Sequence, residues 1–157
     1  MKTYLIFFLS AFLLSDVRAQ TVRSCDGMYS ARGAGRTEML VERNGGEIGM
    51  VEIDHGIDAG VFSVDGKSLV VYGLPKKIDL RSPQAEFLSI YRLRPRLHRI
   101  MKMTYGGAIY DVAIGSDQNL VFVSNRFGFD VVNIKSRETK SFDPISEPEF
   151  SRQRCKD

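Results

Sequence analysis

The chain has 157 residues with 22 Lys and Arg against 19 Asp and Glu, a formal charge of +3, and 43% apolar residues. That is long enough for one domain with a real core, too apolar for a disordered tail, and too evenly charged to argue for a nucleic-acid binder. Two cysteines and two histidines leave little material for a metal site or a thiol enzyme.

The chain opens on a targeting segment. Lys2 supplies a positive start, Leu5 to Leu14 is an apolar run too short to span a bilayer, and Val17-Arg18-Ala19 has the small-residue pattern of a cleavage site. Residues 1–19 therefore read as a signal peptide that is removed, leaving a single domain over 20–157 and no membrane anchor. Lys2 and Arg18 leave against Asp16, so the positive charge drops by one. The implied localisation is the periplasm. Cys25 and Cys155, near the two ends of the exported chain, form an even pair and read as a disulfide. Closing a loop of that size is worth about 4 to 5 kcal/mol in the chain-entropy account.

Further along, Arg32-Gly33-Ala34-Gly35-Arg36 lacks the strand-to-helix setting of a phosphate loop and reads as a flexible connector. Met39 to Ile53 folds back on itself around Asn44-Gly45, a strong hairpin signal. His55 lies in Asp54-His55-Gly56-Ile57-Asp58 with no second His or Cys at ligand spacing, which favours a surface-turn histidine over a metal ligand.

Two similar segments follow. Ala59 to Tyr72 and Asp111 to Ser124 each read as strand, tight Asp-led turn, strand, with Asp65-Gly66 and Asp117-Gln118-Asn119 at the turns. Two more strands trail each copy: Phe87 to Tyr91 with Leu97 to Met103, and Phe129 to Ile134 with Thr139 to Phe142. Four short strands per repeat is how propeller blades are written. With the upstream hairpin the count is about two and a half blades, below the four to eight of a closed ring. The predicted fold is all-β, with antiparallel sheets resembling two to three β-propeller blades packed face to face, and not a closed propeller.

Two segments stand out for partner binding. Leu74 to Glu86, between the second and third strands of the first copy, is far longer than the connection after Ser124 and carries Pro75 and Pro83. A stiffened loop loses less entropy on entering a partner's cleft, although its length alone also fits an ordinary surface connector. Tyr91 to Arg99 is the most basic stretch; Pro95 ends the pairing, the leucines should point in and the arginines out, and His98 reads as a satisfied strand histidine. No nucleophile elbow is present, and the bridge uses both thiols, so no catalytic residue, metal or cofactor is assigned.

The order of an export leader, Cys25, Gly60-Val61-Phe62-Ser63-Val64-Asp65-Gly66-Lys67, a loop ending Ser82-Pro83-Gln84-Ala85-Glu86-Phe87-Leu88-Ser89-Ile90-Tyr91, and Cys155 resembles the periplasmic immunity proteins that neutralise type VI secretion peptidoglycan amidases. The resemblance implies a non-catalytic inhibitor that blocks the active site of a cognate secreted cell-wall amidase. It places Ser82 as the small hydroxyl residue entering the groove, with Pro83 where the family pattern has a second serine. Lys76, Lys77, Arg81, Ser82, Pro83 and Gln84 are the expected contact residues. The alternative is a propeller-like binding module for another envelope protein.

Overall fold

The structure, a computed structural model, describes residues 20–81, 83–146 and 149–155. The leader at 1–19 and Ser82 lie outside the described residues. Among the described residues, twelve strands form three four-stranded antiparallel sheets, each built from strands consecutive in sequence. Blade one holds β1 (Val22–Arg23), β2 (Tyr29–Ala34), β3 (Glu38–Arg43) and β4 (Gly46–Glu52). Blade two holds β5 (Ala59–Phe62), β6 (Ser68–Gly73), β7 (Glu86–Arg92) and β8 (His98–Tyr105). Blade three holds β9 (Ile109–Ile114), β10 (Leu120–Asn125), β11 (Gly128–Asn133) and β12 (Thr139–Phe142). The fold is all-β and open.

Expectation and structure differ over blade one, which is complete rather than half a blade. Arg32-Gly33-Ala34, taken as part of a connector, lies in β2 and pairs with Leu40, Met39 and Glu38 on β3; only Gly35, at φ 65, and Arg36 sit in the turn. The first hairpin has little strand pattern, because β1 is two residues long and Gly33 of β2, with Gly35 after it, mimics a linker, yet its turn repeats the pattern of the other blades. Ser24-Cys25-Asp26-Gly27 matches Ser63-Val64-Asp65-Gly66, with Gly27 and Gly66 at φ 69 and 64, and Gln118 takes that place in blade three at φ 60. In each turn the aspartate carboxylate accepts from a backbone N–H two residues on: Met28, Lys67 and Asn119. These Asx turns let one short polar side chain stand in for a backbone hydrogen bond. The Asn44-Gly45 hairpin forms as read, both residues at positive φ.

Burial explains why the middle blade is written as a continuous apolar run. Leu69 and Val71 of β6 face a core shared with Met39, Val41, Ile53 and Phe62, while Val70 faces a second core with Leu88, Ile90, Ile114 and Val121. Both faces of blade two are covered, so alternation gives way to Leu69-Val70-Val71, all fully buried. The first strands β1, β5 and β9 stand side by side along the inner edge.

A C-terminal strap closes the assembly. Ser116 N donates to Ser151 O and Gln153 N to Ile114 O, each at 2.8 Å, so the chain runs beside β9. The Phe150 ring lies tilted against Phe122, centroids 5.2 Å apart, and Arg152 pairs with Asp111 at 2.8 Å. Gln153 then reaches blade two, donating from Nε2 to Phe62 O at 2.8 Å. The Cys155 to Cys25 disulfide finally ties the strap to blade one, as the cysteine arithmetic predicts. Three blades are thus stitched by seven residues.

Candidate functional site

Antiparallel topology separates the two candidate segments. The 74–85 connector precedes β7 and the 93–97 hairpin follows it, so they occupy opposite ends of a seven-residue strand. At about 3.3 Å per residue that is roughly 20 Å, too far for both to serve one small contact. The loop end also carries the β4–β5 and β8–β9 connections, the β10–β11 turn and the exit from β12; the other end carries the Asp-led turns, the basic hairpin and the disulfide.

The root of the loop is pinned and its tip is not. Pro75 bridges His55, Gly56 N donates to Leu74 O at 2.8 Å, and Lys76 N donates to Asp54 O at 2.9 Å. The Lys76 ammonium donates to the Ile53 carbonyl at 3.1 Å, and burial pulls it below the ordinary lysine range despite the Asp54 charge. Lys76, one of the expected contact residues, is exposed and also braces the loop root. Lys77, Arg81, Pro83 and Gln84 are exposed; Arg81 N donates to Asp79, and Gln84 accepts from Arg126 at 3.4 Å. Ile78 and Leu80 stand out of the tip, Leu80 being 90% exposed.

His55 is not the surface residue expected. It is fully buried beneath the loop root. Nδ1 lies 2.6 Å from the Gly56 carbonyl, which can only accept, so Nδ1 carries the proton and Nε2 accepts from the Ser89 hydroxyl at 2.8 Å. Its neighbour Asp54 is bonded by Lys102 and lies 3.3 Å from Arg99. Burial works to raise the Asp54 carboxyl, but the two cations outweigh it and hold it below the usual range. Lys102 also stands 3.8 Å over the Phe87 ring. This cluster fixes the connection between blades one and two and offers no free nucleophile. Among the described residues no group of three His, Cys, Asp or Glu is placed to hold a metal.

At the opposite end the basic hairpin behaves as its alternation predicts. Leu93 and Leu97 are buried, and Arg94 Nη2 donates to the Tyr29 hydroxyl at 2.6 Å. His98 is exposed and lies 2.8 Å from the Arg96 carbonyl. A cavity of about 370 Å³ opens beside the disulfide, walled by Asp26, Tyr29, Val64, Asp65 and Arg154. Its two carboxylates are engaged with their own turns: the Ser24 hydroxyl and the Met28 N–H hold Asp26 low, and Ser63 and Lys67 hold Asp65 low against the opposing effect of burial.

Exposed apolar side chains gather at the loop end. Leu74, Ile78, Leu80, Tyr110, Phe127 and Ile145 are the six most exposed large apolar residues among those described, and all lie there. Sequence reading missed Phe127 and Ile145 because each sits alone in a short turn; the signal was a bulky apolar residue where turn chemistry asks for a polar one.

No family model and no curated protein match the chain. Solved structures do. The β-propeller domain of Cps50 (Swd1) from Myceliophteria thermophila superposes with a TM-score of 0.56 at 12% identity, covering 82% of this chain and 41% of that one. The fold is that of propeller blades. A eukaryotic initiation factor gives 0.58 at 9% identity over 82% of this chain and 34% of its own, and the RRP9 WD40 repeats give 0.57 at 11% over 79% and 38%. The chain thus spans about two fifths or less of the propellers it resembles.

Proposed function

We propose that the protein is a non-catalytic binding module that docks a protein partner at the loop end of its three blades. One observation carries this reading: the six most exposed large apolar side chains among the described residues lie at that end, Leu80 and Ile145 being about nine-tenths exposed. Exposed apolar groups gathered on one side of a rigid β scaffold mark interaction surfaces. The propeller likeness supports a scaffold role in general terms.

The test compares three immobilised proteins as baits for extracytoplasmic extract: the parent, an Ile78→Asp/Leu80→Asp variant, and an Arg94→Glu/Arg96→Glu variant. A partner held by the parent and by the arginine variant, and lost with the loop variant, supports the reading. Retention by the loop variant with loss from the arginine variant sinks it.

A second reading names the partner as a secreted peptidoglycan amidase, the protein being its periplasmic immunity factor. The pinned root and projecting tip of the 74–85 loop favour it, as does a disulfide suited to an oxidising compartment. Ser82 would then enter the groove. Stopped-flow binding to a candidate amidase, with parallel muropeptide hydrolysis, separates the readings: inhibition abolished by Ser82→Arg supports immunity, whereas binding without inhibition leaves only the general module.

A further inference from the structure

Between blades two and three the loop end opens into a cleft of about 260 Å³. β8 contributes Met103 and Tyr105 to its walls, and blade three contributes Asn125, Phe127, Asp130 and Ser141. Asp130 pairs in register with Val123, which is buried in the core between these two blades, so its carboxylate is on the side facing blade two. No cation of the described residues lies within ion-pair reach of it. Tyr105 is buried close by, its hydroxyl donating weakly to the Met103 sulfur at 3.9 Å. Burial first, and the Asp130 charge second, push that phenol far above its usual range, so it remains a neutral ring beside a carboxylate.

The chemistry of these walls selects a cation. A carboxylate in an aromatic-lined cleft attracts a guanidinium or ammonium through charge-assisted hydrogen bonds and through the ring quadrupoles. An apolar side chain seated there would strip water from Asp130 and give nothing in return, and an anion would be repelled. Arg126, in the turn next to Phe127, donates to Gln84 instead, at 3.4 Å. Phe127, two-thirds exposed, stands at the mouth and belongs to the apolar set proposed above as the docking surface.

We propose that this cleft is an anchor site for a lysine or arginine side chain of the protein that docks at the loop end. The proposal rests on the binding-module reading and adds the chemistry of the partner's central contact, a buried cation ringed by apolar contacts.

The experiment titrates the protein, labelled with ¹³C at its methionine methyls, with N-acetyl-arginine amide and N-acetyl-lysine amide, and with N-acetyl-norleucine amide as the neutral control. Saturable shifts at the Met103 methyl are expected from at least one cation, with dissociation constants on the order of millimolar for so small a probe, and none from norleucine. Asp130→Asn should weaken the cation about tenfold, as loss of a charged acceptor does. Phe127→Ala, at an exposed turn, should also weaken it and keeps the test valid if the Asp130 variant misfolds. Absence of a saturable shift from both cations, an equal shift from norleucine, or unchanged binding in both variants would overturn the proposal. The two levels separate cleanly: partner capture without probe binding removes the cation anchor alone, and probe binding without partner capture at the loop end removes the docking reading and with it the assignment of the cation to a partner.

Discussion

His55 is neutral because burial opposes its charge, and that has a sign-definite consequence. Its folded-state affinity for a proton lies below the ordinary value of 6.5, so the unfolded chain binds a proton more readily. The stabilising contribution is therefore complete above about pH 6.5 and is lost as the pH falls through that value and below it. The depressed carboxylates Asp26, Asp54 and Asp65 act in the same direction but only below their ordinary 3.8. Melting between pH 7.5 and 5 thus isolates the histidine. The melting temperature should fall on acidification, and His55→Gln, which keeps a group able to bond Ser89, should be less stable at pH 7.5 but should flatten the slope. An unchanged slope in the variant would mean that another group controls it. The burial of His55 was not legible in the sequence: two flanking aspartates look like a surface turn, and only the crossing of the loop root over Asp54 and His55 encloses the ring.

Among the elements, β7 and the strap carry the most consequence. Ile90 is fully buried between blades two and three, so Ile90→Ala should cost about 2 to 5 kcal/mol in denaturant unfolding, against less than about 0.5 for Ile78→Ala at the exposed loop tip. The strap acts through the disulfide and Phe150 together. Reduction, or Cys25→Ser with Cys155→Ser, should lower the melting temperature by several degrees, approaching the effect of about 4 to 5 kcal/mol that the chain-entropy account allows. A melting curve unmoved by reduction would show that the strap's hydrogen bonds suffice. Pattern alone located ten of the twelve strands' worth of hairpin signals unevenly: the Asn44-Gly45 and Asp-led turns were plain, but β1 and β2 were hidden by Arg32-Gly33-Ala34-Gly35, whose glycines mimic a linker. The legible signal for them is the Ser24-Cys25-Asp26-Gly27 turn, which repeats Ser63-Val64-Asp65-Gly66. Nothing in the one-dimensional pattern announces the strap, because its hydrogen bonds go to residues some 35 to 91 positions away.

On the scale of the whole molecule, three blades form an arc whose two ends differ in character. The disulfide end is turn-rich and covalently tied, and the loop end carries the most exposed large apolar side chains of the described residues. The strap and the disulfide cross-link the blades away from the loop tip, so exposed tip side chains can contribute to contact rather than to folding. Replacing residues 77–84 by a short Gly-Ser turn should for that reason leave the melting temperature within a few degrees of the parent while abolishing partner capture. The loop was legible as a candidate from length and prolines; its alliance with Phe127, Ile145 and the Asp130 cleft was not, because topology alone brings blade three's turns to the same end. The most direct test of the account is a hydrogen-exchange footprint of the protein with its captured partner. The account predicts slowed exchange over 74–85, 106–110 and 125–130, with the 24–29, 63–68 and 93–97 turns unchanged. Protection confined to those turns, with the loop end exchanging as in the free protein, would contradict it.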